Sequence, residues 1–162
     1  MRVLESISVG IGVAALLAPA AHVFEMINKF QLDGPLWLAV QQNLYRGWGP
    51  FIGAPTEICG LLINALLFFR RPDGARAQRL WGVAACSYLG MIIVFFVFNS
   101  PVNAAVSTWT AGTLPSDWQD FRLKWQMGHG LAAILAFVAL LSVIKATNAS
   151  ARREKIADGT RT

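Results

Sequence analysis

Charged residues are scarce in this chain of 162 residues, since only 14% are Asp, Glu, Lys or Arg while 55% are hydrophobic. A soluble domain typically carries about 25% charged residues, so this inventory cannot cover a water-facing surface. The mean hydropathy of +0.48 agrees. The composition therefore excludes an ordinary soluble domain and predicts an integral membrane protein of one domain.

Cysteine is also scarce, because Cys59 and Cys86 are the only two and they lie in separate apolar stretches without a Cys-x-x-Cys motif. Thiol oxidoreductases need a vicinal pair that stabilises the thiolate, so this class is excluded. The chain also lacks a phosphate-binding glycine loop, a serine triad, a zinc motif and a nucleic-acid-binding signature. Its net charge of +5 is better explained by basic residues on the cytoplasmic side of a membrane than by a nucleic-acid partner.

Four apolar runs are long enough to cross a bilayer, since a helix rises 1.5 Å per residue and about 20 residues cross roughly 30 Å of hydrocarbon. They predict an all-α fold, a four-helix transmembrane bundle with two longer, partly helical outer loops. The predicted spans are residues 4–25, 51–69, 80–98 and 128–144. They form one membrane domain, residues 1–145, followed by a basic, disordered cytoplasmic tail at 146–162. The first run could also be a secretory signal, because small residues at 18–20 resemble a cleavage site, but we favour a retained helix.

Basic residues predict the orientation, because ten of the fourteen Lys and Arg residues lie at the two termini and in the link between the second and third spans. They are Arg2, Arg70, Arg71, Arg76, Arg79, Lys145, Arg152, Arg153, Lys155 and Arg161. Positive residues in short loops stay in the cytoplasm, so both termini are predicted to be cytoplasmic, in a bacterial inner membrane. Five of the six tryptophans fall on the outer side, which exceeds what anchoring alone requires.

Small residues recur at four-residue spacing on three of the predicted helices, and such ridges let helix backbones approach closely. The ridges are Gly10, Ala14 and Ala18; Gly82, Cys86 and Gly90; and Gly128, Ala132 and Ala136. They predict a tight bundle. One ridge could instead contact a second subunit, so a homo-oligomer stays an open expectation.

The polar residues of the four spans converge at one level near the outer face. From the predicted helix directions, this level holds His22, Glu25, Glu57, Asn99, Asn103 and His129. Ionisable groups at the bilayer centre cost about 2.5–3.5 kcal/mol each on insertion scales, so they are candidates for function. Glu57 could equally complement the dipole of its own helix. Asn64 and Tyr88 lie deeper, and we expect them to form hydrogen bonds across the bundle.

Helical spacing groups these polar residues on two faces. His22, Glu25 and Lys29 share one face of the first helix. After a helix start predicted at Ser116, a second stripe follows at spacings of four, three and four, formed by Trp118, Arg122, Trp125 and His129. Aromatic faces beside a guanidinium and an imidazole suit a planar, partly anionic organic molecule that enters from the outer leaflet. Alternatively, the tryptophans anchor the helix and the arginine contacts lipid phosphate or a neighbouring aspartate.

Three functions remain open from these residues. A histidine held by a carboxylate could abstract a proton from an acidic carbon, and the enolate, stabilised by Arg122 or an asparagine amide, could react with dioxygen without metal or flavin. Alternatively His22 and His129, with Glu25, could ligate a haem or another metal, although the chain holds only one His-x-x-Glu motif. The third is a non-catalytic membrane protein that binds a small molecule or assists assembly.

Four segments carry a resemblance to a known family: AHVFEMINKF, WLAVQQNLYRGWGP, NSPVNAAVSTWT and PSDWQDFRLKWQMGH. Over about residues 5–145 the chain resembles the DUF1772, or anthrone oxygenase-like, family of small four-span membrane proteins. Fungal members are associated with the oxidation of anthrones to anthraquinones without a conventional cofactor. The resemblance therefore implies a cofactor-independent monooxygenase whose partners are a small lipophilic aromatic molecule and membrane lipid.

The resemblance also implies a set of site residues. The catalytic ones are His22, Glu25, Arg122 and His129, and the substrate-binding ones are Asn28, Asn99, Asn103, Trp118 and Trp125. Either histidine is expected to be the base, oriented by Glu25, with Arg122 and Asn103 stabilising oxyanion charge and the two tryptophans stacking on the substrate. Two departures from the family pattern weaken the transfer of the fungal substrate: Gln126 replaces an acidic residue and Ala132 replaces an arginine.

Overall fold

The computed structural model describes residues 2–70 and 74–159, with side chains as far as residue 152. Within this part of the chain there are seven α-helices and no strand, so the predicted all-α fold is confirmed. The helices are α1 (Arg2–Phe24), α2 (Met26–Lys29), α3 (Gly34–Ala39), α4 (Ala54–Arg70), α5 (Ala75–Val94), α6 (Ser100–Val106) and α7 (Trp118–Gly159). Three short π-helical segments adjoin them, at Val40–Leu44, Gly49–Gly53 and Phe95–Asn99.

Four helical stretches are long and apolar enough to cross a membrane, which confirms the four-span architecture of an integral membrane protein. They run over Arg2–Phe24, Gly34–Arg70, Ala75–Val106 and Trp118–Arg152. The last three reach further than the sequence predicts. Part of the reason is that Pro35, Pro50 and Pro101 each lie in the first turn of a helical segment, where a missing N–H costs no hydrogen bond.

The bundle consists of α1, α4, α5 and α7, with α5 packed against both α4 and α7 and with α1 packed along α7. Its buried side chains form three successive layers. The first contains Leu67, Trp81 and Val143, the second Tyr88, Met91 and Ala136, and the third Trp37, Val102 and Trp125. The third layer lies at the end of the bundle where the sequence places the polar residues.

Small residues on α5 and α7 let these helices meet. A Cβ added at Gly90 would lie 3.2 Å from the Leu135 side chain, and one added at Gly128 would overlap the side chains of Phe98 and Asn99. On α1, by contrast, Gly10 has open space beside it. The ridge of α7 is therefore buried inside the bundle, as the sequence predicts. The ridge of α5 is only partly so, because Cys86 in its middle is exposed.

Helix α7 corrects one prediction, because it continues to Gly159 whereas the tail was expected to be disordered from residue 146. Ala146 is fully buried, and the Ser150 hydroxyl donates a hydrogen bond to its carbonyl oxygen at 3.1 Å. This extension packs against the layer that contains Trp81. Burial of the small and apolar side chains on one face thus stabilises the helix here, despite its basic residues. Residues 160–162 of the tail and Arg71 lie outside the described residues.

The expected cross-bundle hydrogen bond is confirmed for Asn64, whose side-chain oxygen accepts a bond from the Ser8 hydroxyl at 3.1 Å. The amide nitrogen of Asn64 donates to the carbonyl oxygen of Gly60 at 2.7 Å. The expectation fails for Tyr88, whose buried hydroxyl has no partner in the part of the chain that the structure describes. Polar contacts at the middle of the bundle therefore link α1 to α4.

Candidate functional site

A cavity of about 980 Å³ lies between the helices at the level of the polar residues. Its walls come from α1, from the segment between Gln41 and Glu57, from the end of α5 with α6, and from α7. Pockets that bind small organic molecules typically measure about 300–1,000 Å³, so this volume suits a multi-ring ligand.

Five rings cluster on one side of this cavity. The His22 ring lies 4.2 Å from the His129 ring and 4.7 Å from the Trp125 ring, measured between centroids. Tyr45 and Trp48 contact the same histidine, with centroids 4.6 and 5.5 Å away. Trp125 lies 4.1 Å from His129. The two histidines of the chain therefore meet in one wall, although 107 positions separate them in the sequence.

A hydrogen bond from a side chain on α7 to its backbone carbonyl holds His22 in place at the end of α1. His22 is only 2% exposed, and its carbonyl oxygen accepts a hydrogen bond from the Gln126 side-chain nitrogen at 2.7 Å. The last carbonyls of a helix lack partners within the helix, so this bond satisfies one of them and ties α1 to α7. Gln126, one of the departures from the family pattern, thus has a structural role here.

Lys29 lies between Glu25 and His22, the carboxylate and histidine that were expected to pair directly. Its Nζ is 2.8 Å from Glu25 Oε2 and 2.9 Å from His22 Nδ1, whereas Glu25 Oε2 is 3.8 Å from that nitrogen. The Tyr45 hydroxyl donates to the same carboxylate oxygen at 2.7 Å. Lys29 also lies over the rings of Tyr45 and Trp125, at 4.3 and 5.1 Å from their centroids. Glu25 therefore acts on His22 mainly through Lys29, which the sequence placed on the same face without a role.

Burial and the contact between Glu25 and Lys29 have opposing effects on the pKa values of these two residues. Burial acts to raise the pKa of Glu25, but the hydrogen bonds from Lys29 and Tyr45 outweigh it and hold the pKa below the ordinary 4.5. Burial lowers the pKa of Lys29 from 10.5, and the hydrogen bond and charge of Glu25 oppose this shift. Glu25 is therefore a carboxylate at neutral pH, and its contact favours the ammonium form of Lys29.

Two asparagines hold Trp125 from the other side. Asn99, 3% exposed, donates from Nδ2 to the Trp125 carbonyl oxygen at 3.0 Å. The indole Nε1 of Trp125 donates to Asn103 Oδ1, also at 3.0 Å. Both asparagines also line the cavity, as expected for substrate-binding residues.

Four of the expected site residues do not reach the cavity. Among the described residues that line it, Glu25, Asn28, Trp118 and Arg122 are absent. Arg122 instead donates to the carbonyl oxygens of Lys29 and Leu32, at 3.2 and 3.0 Å. Its guanidinium lies 4.6 Å from the Trp118 ring. The predicted stripe on α7 is therefore divided: Trp125 and His129 line the cavity, while Trp118 and Arg122 hold the segment after α2.

Several lining residues were not expected from the sequence. Tyr45 and Trp48 contact His22, and Gln42 donates from Nε2 to the carbonyl oxygens of Val106 and Trp109 at 2.8 and 2.9 Å. All belong to the segment QQNLYRGWGP, which was quoted for the resemblance but assigned no site residue. Gly47 in this segment has a φ of 88°, which glycine adopts without strain and which turns the chain back toward the cavity.

Glu57 also lines the cavity, in the first turn of α4. Within residues 2–70 and 74–152, no hydrogen bond or ion pair reaches its carboxyl group. Of the two roles considered from the sequence, this position favours a role in the site.

The family model for anthrone oxygenase matches residues 42–153, more than half of the chain. The chain belongs to the anthrone oxygenase family. No curated protein and no solved structure matches it. The resemblance seen in the sequence is thereby confirmed.

The segment matched to the anthrone oxygenase family supplies most of the cavity wall. It contains Tyr45, Glu57, Asn103, Trp125 and His129. Helix α1 lies outside the matched residues, so His22 and its contacts with Glu25 and Lys29 are features that the structure of this chain adds.

The side chains around the histidine pair bear on the metal site that the sequence left open. In the described part of the chain no group of three or more His, Cys, Asp and Glu side chains is arranged to hold a metal ion. One ring nitrogen of His22 is already engaged, because Nδ1 lies 2.9 Å from the Lys29 ammonium. A cation bound there would also meet this positive charge.

Proposed function

We propose that this protein is a membrane enzyme that oxidises a lipophilic aromatic carbon acid with dioxygen, as the name of its family suggests. The observation that carries the proposal is the pair of imidazoles, 4.2 Å apart, in the wall of a cavity of about 980 Å³ that aromatic rings line. Neutral imidazoles are suitable bases for a carbon acid near neutral pH. The cavity lies at the level where a lipophilic molecule enters from the outer leaflet.

The substrate binds between the aromatic rings and the polar groups of the cavity. Trp125 and Trp48 pack against its rings. Asn103 accepts a bond from the Trp125 indole with its oxygen, which leaves its side-chain nitrogen as a donor for a substrate oxygen. The carboxyl group of Glu57, which no described side chain contacts by a hydrogen bond or ion pair, faces a hydroxyl group of the substrate. The remaining lining is mainly apolar, which favours a lipophilic molecule.

The reaction begins with transfer of a proton from the methylene carbon of the substrate to a histidine. The electron pair of the broken C–H bond moves onto the conjugated carbonyl oxygen, and the resulting enolate is stabilised by donors such as Asn103. The carbanion then gives electrons to dioxygen, which forms a C–O bond and a hydroperoxide. Loss of water from the hydroperoxide, with removal of the second methylene proton, leaves a carbonyl group. One oxygen atom ends in the product and the other in water.

In this proposal Arg122 and Trp118 act indirectly. Arg122 binds the carbonyl oxygens of Lys29 and Leu32, so it holds the segment that carries Glu25 and Lys29 instead of contacting an oxyanion. Both termini lie in the cytoplasm of a bacterial cell, and the cavity lies in the outer half of the inner membrane. The distribution of Lys and Arg supports this orientation.

The test is aerobic oxidation of anthrone and 1,8-dihydroxyanthrone in lipid nanodiscs under ¹⁸O₂. We expect an anthraquinone product that carries one ¹⁸O atom, formed faster than in protein-free nanodiscs. The double variant His22→Ala with His129→Ala should fold but oxidise at the protein-free rate. Cys59→Ser, an exposed position outside the cavity lining, is the matched control and should retain turnover.

Two outcomes would contradict the proposal. Turnover of the double variant at the wild-type rate would show that the reaction does not require the two histidines. Oxidation by the wild-type protein no faster than in protein-free nanodiscs would favour a non-catalytic binding or assembly protein.

A further inference from the structure

Lys29 has an unusual position for a lysine, because its side chain is buried against an imidazole. The residue is only 5% exposed, and its Nζ lies 2.9 Å from His22 Nδ1. An ammonium group has three hydrogens and no lone pair, so it can only donate a hydrogen bond. The Nδ1 atom of His22 must then be the acceptor. A neutral His22 therefore carries its proton on Nε2.

Neighbouring groups keep the Lys29 ammonium at this position. Glu25 Oε2 binds it at 2.8 Å, and the Tyr45 hydroxyl holds that carboxylate from the other side at 2.7 Å. The rings of Tyr45 and Trp125 cover the ammonium, which aromatic faces stabilise. The lysine is thus held by charge, hydrogen bonding and ring contacts at once.

This arrangement makes the two histidines different. His22 lines the cavity, whereas Lys29, which contacts its Nδ1, is not among the described residues that do. The Nε2 proton of His22 is on the ring edge away from the Lys29 contact. Addition of a further proton at Nδ1 would place a positive charge against the ammonium. No hydrogen bond from residues 2–70 and 74–152 occupies a ring nitrogen of His129.

We propose that Lys29 is a positioning residue that holds His22 in the Nε2–H tautomer, so that His22 donates a hydrogen bond into the cavity and His129 is the base. The assignment rests on the proposed function. The Nε2–H group of His22 donates to the substrate oxygen on which enolate charge develops. His129 takes the proton from carbon, and the adjacent Trp125 ring stabilises the imidazolium that forms.

The first test reads the tautomer directly by NMR of protein with ¹⁵N-labelled histidine in nanodiscs. The chain has only two histidines, so the variant His129→Asn leaves His22 as the single signal. We expect the Nε2–H tautomer when Lys29 is present and a substantial Nδ1–H population after Lys29→Met. Lys29→Arg keeps a donor at this position and should preserve the Nε2–H form. Lys124→Met, an exposed position on α7, is the matched control.

Either of two results overturns the assignment. An Nδ1–H tautomer in the protein that retains Lys29 would overturn the assignment, even if Lys29→Met failed to fold. An unchanged Nε2–H tautomer in folded Lys29→Met would show that another group selects it.

The second test follows anthrone oxidation. Lys29→Met should lower kcat at least about 10-fold while KM changes little, since the lysine does not contact substrate, and Lys29→Arg should restore most of kcat. A larger loss in KM than in kcat would contradict a positioning role. The two failures are distinguishable: the expected tautomer without any anthrone oxidation refutes the proposed function, whereas oxidation with the wrong tautomer refutes the role of Lys29.

Discussion

The two histidines of the cavity have different surroundings. His22 is held at its ring by Lys29 and at its carbonyl by Gln126. The His129 ring contacts the rings of His22 and Trp125, and no hydrogen bond from the described side chains reaches it. A base needs a free lone pair at the reacting atom, and an orienting donor needs a fixed proton. These roles match His129 and His22 respectively.

Replacement of the base should affect the chemical step more than binding. We expect His129→Asn to lower kcat for anthrone oxidation by about 10²–10⁴-fold, because this is the usual contribution of general base catalysis, with little change in KM. Steady-state kinetics in nanodiscs measures both constants. The wild-type kcat in this variant would rule out His129 as the base.

The lowered pKa of Glu25 predicts how the stability of the folded protein depends on pH. Its pKa in the folded protein lies below the ordinary 4.5, so the carboxylate stabilises the fold above about pH 4.5, and this contribution is lost as the pH falls through the folded pKa. The melting temperature of the wild-type protein should therefore fall on acidification below about pH 4.5 more than that of Glu25→Gln. Thermal unfolding measured from pH 7 to pH 3 tests this. Parallel curves for the two proteins would contradict it.

The sequence pattern of α7 predicted only part of the site. The stripe on α7 from Trp118 to His129 has helical periodicity, and both of its ends were expected to contact one substrate. The eleven helical steps from Trp118 to His129 extend over about 16 Å, so one end meets the cavity and the other meets the segment after α2. Periodicity predicts a shared face but not what each turn of that face contacts.

The wall formed by residues 41–57 could not be predicted from local patterns. The bonds from Gln42 to the carbonyl oxygens of Val106 and Trp109 join segments more than 60 positions apart. Similarly, Lys29 was visible on the face of His22, but its burial depends on Tyr45 and Trp125. The spans and the pairing of the histidines followed from hydropathy and depth; these tertiary contacts did not.

A pair of glycines on α7 tests the close approach of α7 to the π-helical segment Phe95–Asn99, which follows α5. Gly128→Ala would place a Cβ against the side chains of Asn99 and Phe98, whereas Gly130→Ala has open space. Overpacking typically costs about 1–3 kcal/mol, so Gly128→Ala should lower the melting temperature while Gly130→Ala should leave it equal or higher. Thermal unfolding of the two variants under one condition is the measurement. Equal destabilisation by both would show that the close approach does not matter.

At the scale of the whole molecule, the number of spans followed from hydropathy, whereas the sidedness of the protein is inferred from its charges. Four apolar stretches were predictable because each must bury its backbone polar groups in lipid as a helix. The helical extension of α7 was missed, because its basic residues obscured the small residues that pack against α5.

The proposed orientation predicts which surfaces are accessible from outside the cell. In a background with both native cysteines replaced by serine, Ser116→Cys should react with a membrane-impermeant maleimide on intact spheroplasts, whereas Arg76→Cys should react only after lysis. Both positions are exposed. Labelling with the opposite pattern would place the cavity in the cytoplasmic half of the membrane.

Anaerobic exchange of the methylene hydrogens of anthrone in D₂O tests proton abstraction most directly, because it is separate from the reaction with dioxygen. We predict that nanodiscs with the wild-type protein incorporate deuterium faster than protein-free nanodiscs and that His129→Asn abolishes this acceleration. Anthrone oxidation without accelerated exchange, or equal exchange by the wild-type protein and His129→Asn, would rule out His129 as the base that removes the methylene proton.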